Sequence, residues 1–581
     1  MQTKLLNKWI LIWLFLGIPL LAAFILRKSF DLGLYGDDWQ HLYNLWRDFF
    51  VYHTKSFFDI KSYLNPYWPN YFYLGIISHF WGYYPPAYFI ASYFMRLFAN
   101  IALYFFSYEL TKSKLAAFLT TLIFLVSAAG LQTTDWVFNM NTYAGLGLLV
   151  IASTIYLKLR KIKTFKSWYY LFFITTFTLA LGIVPTRMHG ATPFIILMDI
   201  FLTFIMDKQK KIDKYLIARI ALAAAIFFLL IHLRSFGEES YAGGRFNESY
   251  KIILELLQNG VYSFWLYFLA IIGHLALPDN INLSSTKSLT IEVFLSILLA
   301  SLGTFSILKS KRLILYLPIV IFNFFWLIFL LALSKIDFHT SKEAFFAISL
   351  GGQVLFWAIW FFSIGRKKYP DLTQTLIISI FWITSLTILH WIFTPYYIIE
   401  TTGRYMTMGA AGMAIFLGAL SALLIKNVSV PLLILFFFII TNFYSSQSYL
   451  NILHQTRNKE LTEKTWNTLI RAVPNLDPEG PSVFYFTTDN PSSLFGVLEF
   501  GFFMRAGMTY RIPDQDLTPL PSTSYKELLS FVKDGSPLQK VHGRKAVPVP
   551  LSRIFAFDFR NGQLIPITEQ VRKKLVEDLN Q

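Results

Sequence analysis

The sequence predicts a mainly α, polytopic membrane protein with about 13 transmembrane helices and a small C-terminal α/β domain outside the cytoplasm. Of 581 residues, 55% are hydrophobic and only 15% charged, with mean hydropathy +0.49. A globule of that balance could not stay in water. The net charge is +17, but the basic residues recur in short clusters between apolar runs. That is a topology pattern and not a nucleic-acid surface, so no nucleic-acid partner is expected. From about residue 445 the apolar runs give way to segments richer in Pro, Asp, Ser and Thr.

The first apolar run, 9–26, follows Lys4 and Lys8. It is long enough to span and lacks a small-residue cleavage site, so a retained helix is expected. Further spans are expected at 86–109, 115–131, 141–158, 168–185, 191–206, 215–233, 289–308, 313–333, 345–364, 374–393, 405–424 and 429–444. With a cytoplasmic N-terminus, the basic clusters at 111–114, 158–166, 207–214, 309–312 and 365–368 all fall on the cytoplasmic side of the plasma membrane. A crossing at 250–277 would put 309–312 outside, so that segment is expected to be re-entrant or interfacial. The outward segments are then the loop 27–85, "QTTDWVFNMN", "TRMHG", 234–288, "SKIDFHTSKE" and "TPYYIIETTGRY". Residues 1–444 form the membrane domain and 445–581 the outer domain. In the latter, "PSVFYFTT" and "RIFAFDF" read as strands, and "SYKELLSFVKD" and "TEQVRKKLVEDLN" as amphipathic helices.

The outward segments carry the chemistry. In "YGDDWQ", Asp37 and Asp38 stand together just beyond the first span. They can cap a helix that lies along the outer surface with its aromatics, Trp39, Tyr43 and Trp46, toward the membrane. Alternatively one carboxylate is a general base and the other orients it. Asp135 lies in the second outward loop beside Trp136. Arg187, His189 and Arg404, the last beside Tyr405, are bases on the face where positive charge is unusual; each either snorkels to headgroups or binds a phosphate. Lys61 and Lys55 in the first loop are of the same kind. Arg96, Asp199, Glu292, His274 and His390 sit within apolar runs, where a charge needs either a partner or a function. There is no cysteine, which excludes disulfides and thiolate chemistry. The phosphate-cradling loop of ATP-driven transport and the His-Glu-x-x-His of zinc proteases are also missing.

The acid pair after the first helix, the long loop that follows it, "TDWV" in the second loop and "GRYMTM" before a late helix together resemble the GT-C class of integral-membrane glycosyltransferases. That class includes the protein O-mannosyltransferases and the lipid A aminoarabinose transferases. The resemblance covers residues up to about 444 and is most specific over 31–145. It implies a polyprenyl-phosphate sugar donor, a glycan, lipid or protein acceptor, Asp37 as first-loop catalytic carboxylate with Asp38 beside it, and Asp135 as the second-loop acid. It implies transfer with inversion and no required cofactor, a divalent ion at the acidic cluster being the alternative. One departure is Trp68 in "YWPN", where relatives often carry Arg; Arg187, Arg404 or Lys61 would then contact the phosphate. The rival readings are a polytopic transporter or lipid flippase, and an O-antigen polymerase or ligase.

Overall fold

A computed structural model describes residues 8–580 except 57–67, 163, 165–167, 185–186, 210–211, 236–260, 279–285, 334–343, 389–401, 426–429, 478–479, 499–500 and 536–546. Among the described residues seven helices are long and apolar enough to cross a membrane: Lys8–Ile25, Pro85–Thr111, Val137–Leu159, Leu289–Leu308, Phe345–Gly365, Thr407–Ile425 and Pro431–Arg457. Four shorter apolar helices, Lys114–Val126, Trp168–Ile183, Ala191–Met206 and Leu317–Leu333, lie where further spans are expected. The predicted runs therefore form helices, but several are shorter than the roughly 20 residues a bilayer asks for.

Local signals set the helix ends. Pro85 and Pro86 open one helix, where a missing N–H costs nothing. Lys112, in the left-handed region at φ 51°, closes it, and the Ser113 hydroxyl accepts from the Ala116 amide to start the next. At the centre stands Thr407–Ile425, whose residues Thr407 to Leu424 are all buried. Its small residues let neighbours come close: a Cβ at Gly418 would meet Thr120, and one at Gly412 would meet Trp382.

Helix Val261–Ala276 falls within the segment expected to be re-entrant or interfacial. Its residues Ala270, Ile271 and Ile272 are fully buried. A Cβ at Gly273 would run into the Ala347 carbonyl and one at Gly351 into the Leu269 carbonyl, so this helix crosses Ala344–Gly365 backbone to backbone and antiparallel. It is a packed member of the bundle and does not lie on its surface.

Among the ionisable groups in apolar runs, Asp199 forms ion pairs, and Arg96 and Glu292 form hydrogen bonds to neutral groups. Asp199 accepts from Arg160 Nε at 2.7 Å, Arg219 Nε at 2.9 Å and the Tyr156 hydroxyl at 2.7 Å, tying three helices together. Asp199→Ala strands two guanidinium groups, of which Arg219 is buried, and is expected to cost about 3–5 kcal/mol. A fall in the midpoint of thermal unfolding of the purified protein checks it. Arg96 donates to Thr134 Oγ1 at 3.1 Å and to the Leu125 and Ser127 carbonyls, which makes it a brace beneath the second loop. Glu292 accepts from the Ser349 hydroxyl. His390 lies outside the described residues.

The C-terminal region contains a four-stranded sheet in the order β2-β1-β3-β4, with β1 Val483–Thr488, β2 Leu520–Ser522, β3 Ile554–Arg560 and β4 Gln563–Pro566. β1 runs parallel to β2 and β3, and β4 is antiparallel to β3. Asn561 and Gly562, at φ 51° and 72°, make the two-residue turn between β3 and β4. Alternation along β1 sends Phe484 and Phe486 to Trp466 and Phe502 on one face. On the other face, Val483 and Tyr485 meet Leu528, Phe531, Val571 and Leu575 of helices Tyr525–Lys533 and Thr568–Leu579. Both expected strands and both expected helices are present. The short strands β2 and β4 carry too few residues to show a pattern.

Candidate active site

Gly36, at φ 58° and ψ −121°, turns the extended chain into helix Asp37–Leu45. Few L-residues adopt that conformation, so glycine places the acid pair in the first turn, at the positive end of the helix. The aromatics of this helix do not face the membrane as the sequence suggests. Trp39 and Tyr43 are buried against the C-terminal region, where the Tyr43 hydroxyl donates to the Ile512 and Pro513 carbonyls at 3.1 and 2.8 Å. The strong apolar pattern of the helix is satisfied by a protein surface and not by lipid.

The two carboxylates have different surroundings. Asp38 is fully buried; its Oδ2 accepts from the Tyr35 amide at 3.1 Å and its Oδ1 from the Phe138 amide at 2.8 Å. It thereby joins the first loop to the second. Burial pushes its pKa up to about 7, against the pull of the two amides and the charge of Arg457. Asp37 is half-buried. Burial raises its pKa too, and the positive charge of Arg404 opposes the rise.

Asp38→Asn sets an amide NH2 against one of the two backbone N–H donors. The expected loss is about 1–3 kcal/mol, read as a lower unfolding midpoint. Because the folded pKa lies above the ordinary carboxylate value, the Asp38 contribution to stability is present below about pH 4 and lost as pH rises through about 7. The variant should lack that fall.

Asp135, in the second loop, is fully buried, with neither carboxylate oxygen in a hydrogen bond of normal geometry among the described residues. Burial raises its pKa to about 6, opposed by the Ser29 hydroxyl and by the charges of Arg457 and Arg96. Arg187 is buried and engaged, donating to Thr142 Oγ1 at 2.8 Å, Asn139 Oδ1 at 2.6 Å and the Arg404 carbonyl at 2.9 Å. Burial lowers its pKa to about 10, so it remains charged at neutral pH. The Thr133 hydroxyl also donates to the Arg404 carbonyl, at 3.2 Å. The Arg404 guanidinium lies 4.4 Å from the Trp136 ring centre and 4.8 Å from that of Tyr405, and its buried Nε has no partner among the described residues.

Residues from four separate parts of the chain thus meet: Asp37 and Asp38, the loop around Asp135, Arg187, and Arg404 with Tyr405. His189 is half-buried on a turn that Gly190 presses against the Ser385 backbone. Lys61 lies outside the described residues, and Lys55 pairs with Asp48 at 3.2 Å.

Arg457 is part of this site and was not singled out in the sequence. It ends the last long helix, donates from Nη2 to the Asp135 carbonyl at 3.0 Å and lies 5.0 Å from the Tyr35 ring centre. Its Nε and Nη1 are buried without a partner among the described residues. Its only mark in the sequence is a base where an apolar helix hands over to a polar domain.

Among the described residues no three His, Cys, Asp or Glu side chains converge as metal ligands. Asp38 already uses each oxygen on a backbone amide.

No family model and no curated protein matches the sequence. Among solved structures, the oligosaccharyltransferase of Archaeoglobus fulgidus, in complex with Zn and sulfate, aligns over 93% of this chain and 67% of its own at 13% identity and a TM-score of 0.45. ArnT of Cupriavidus metallidurans bound to undecaprenyl phosphate aligns over 88% of this chain and 90% of its own at 12% identity and a TM-score of 0.32. The A. fulgidus oligosaccharyltransferase AglB with an inhibitory peptide and a dolichol-phosphate aligns over 93% and 60% at 12% identity and a TM-score of 0.29. The alignments run along most of this chain, and at such identities and scores the likeness assigns no residue a role.

Proposed function

We propose that this protein is an integral-membrane glycosyltransferase of the GT-C type, moving a hexosyl or pentosyl unit from a polyprenyl-phosphate carrier to an acceptor hydroxyl on the outer face of the membrane. The observation that carries the reading is the meeting of a half-buried carboxylate, Asp37, with a buried layer of guanidinium groups whose donors are not all used, Arg404 and Arg457. A buried polar atom without a partner is costly, and an anionic ligand would satisfy several here at once. Polyprenyl phosphates occupy two of the similar structures; the same carrier class is proposed here on the site's own chemistry.

In this reading the acceptor O–H gives its proton to Asp37 as its oxygen attacks the anomeric carbon from the face opposite the phosphate. The bond from that carbon to the phosphate oxygen breaks, and the phosphate leaves with the electron pair, inverting the configuration. Arg404 and Arg457 stabilise the charge that develops on it. Asp38 holds the two loops in register, and Asp135 keeps the buried layer from carrying an excess of positive charge. No step is assigned to a metal. The transporter reading rested on Arg96 and Asp199, whose terminal nitrogens and oxygens are bonded within the protein.

The test is to place the purified chain in vesicles containing lipid-linked sugars extracted from its native membranes. A covalent sugar–acceptor product with release of polyprenyl phosphate is expected. Movement of the lipid-linked sugar across the bilayer with no covalent product would replace this reading with the flippase.

A further inference from the structure

The outer domain meets the membrane domain on the helix that carries Asp37. Arg505, on helix Phe502–Thr509, reaches out of the outer domain and places its guanidinium between two indoles. It lies 4.6 Å from the ring centre of Trp39, two residues beyond Asp37, and 4.3 Å from that of Trp466 on the outer-domain helix Lys459–Ala472. Among the described residues no carboxylate forms an ion pair with it; the charge of Glu463 acts on it from farther away. Cation–π contact with both indoles holds it.

The surrounding surface is built for contact without a gap. A Cβ at Gly501 would stand 3.0 Å from the Gly36 carbonyl oxygen and from Trp39 Cβ, and one at Gly507 would stand 2.7 Å from the Tyr43 ring. The Tyr43 hydroxyl donates to the Ile512 and Pro513 carbonyls, and Arg47 Nη1 donates to Gln515 Oε1 at 3.3 Å. Trp39, Tyr43 and Arg47, one turn apart along the chain from the acid pair, are thereby held by the outer domain.

We propose that Arg505 is a positioning residue: by stacking between Trp466 and Trp39 it clamps the outer domain to helix Asp37–Leu45 and so sets where the Asp37 carboxylate stands. The outer domain is then a working part of the site and not a separate module carried beside it. The kinetic consequence rests on the glycosyltransferase reading; the clamp itself does not.

The test compares the full chain with Arg505→Met and Arg505→Lys in lipid nanodiscs. Methionine keeps most of the bulk and loses the cation, whereas lysine keeps the cation. With a polyprenyl-phosphate sugar as donor, Arg505→Met is expected to lower kcat about tenfold or more with donor KM within about twofold, and Arg505→Lys to recover at least about half of the wild-type kcat. A merely structural role would lower the amount of folded protein without this split or this rescue. Arg505→Met with kcat within about twofold of wild type, or Arg505→Lys as impaired as Arg505→Met, would overturn the proposal.

A second measurement needs no enzyme activity. Trypsin cleavage at Arg457 and Lys459, between the two domains, should release the outer domain about fivefold faster from Arg505→Met than from wild type or Arg505→Lys. Equal rates in all three would overturn the clamp. A chain that moves no sugar yet shows this order of rates keeps the clamp and overturns the glycosyltransferase reading.

Discussion

Asp37→Asn is expected to lower sugar transfer by about 10²–10⁴-fold, the range that a positioned general base contributes, with little change in the unfolding midpoint. The contrast with Asp38 carries the argument. Asp38 is fully buried and both its oxygens accept backbone amides, so its loss should appear first in stability. Asp37 is half-buried and faces the charge of Arg404, so its loss should appear in rate. The pH dependence follows the same division. A base works only when ionised, so transfer should fall as pH is lowered through the Asp37 pKa, which burial has raised and Arg404 holds back. A pH profile of kcat/KM measures it. Undiminished transfer by a well-folded Asp37→Asn protein would remove the base assignment.

The second large effect is expected from Arg404→Ala, at about 10²–10³-fold in transfer, by analogy with the removal of one donor from a site of developing negative charge. Two further signs identify its role. The loss should weigh on use of the lipid-linked donor more than on use of the acceptor. In addition, the acid limb of the profile should move to higher pH, because the charge that opposes the rise of the Asp37 pKa is gone. Arg404→Lys should restore the position of the acid limb more fully than the rate. Lysine supplies the charge but not the planar group that lies over Trp136 and Tyr405. Steady-state kinetics with donor and acceptor varied separately decides between these outcomes.

The parts of the fold that were legible are those the bilayer dictates. Apolar runs at 86–109, 141–158, 289–308 and 345–364 became helices within a few residues of those limits, because within a single segment only a helix satisfies its own backbone in hydrocarbon. Hydropathy says less about where a helix stops. The run expected to end at 444 continues to Arg457, since Gln447 bonds the Ile25 carbonyl at 2.9 Å and His454 bonds Asp31 at 2.8 Å. Its polar half faces protein, a partner more than 400 residues away that no local window contains. Arg457 escaped notice for the same reason: its neighbours Tyr35 and Asp135 become neighbours only through the fold. The acids in the first and second loops could be found because charge beside a membrane is conspicuous. That Asp38 is a tie between loops, while Asp37 keeps its carboxylate half-exposed, could not be read from two identical letters in a row.

The fully enclosed helix Thr407–Ile425 has a consequence for how the protein is made. It closes against Lys114–Val126 and Pro370–Ile383, so the first of these, translated nearly 300 residues earlier, must wait for it. Until it arrives, Thr133 has neither the Arg404 carbonyl nor the Thr407 hydroxyl, and Arg187 lacks one of its three acceptors. A chain halted upstream on the ribosome therefore lacks the hydrogen bonds that join these loops. Completion of this late helix is therefore the step of synthesis at which the second loop and Arg187 gain these partners.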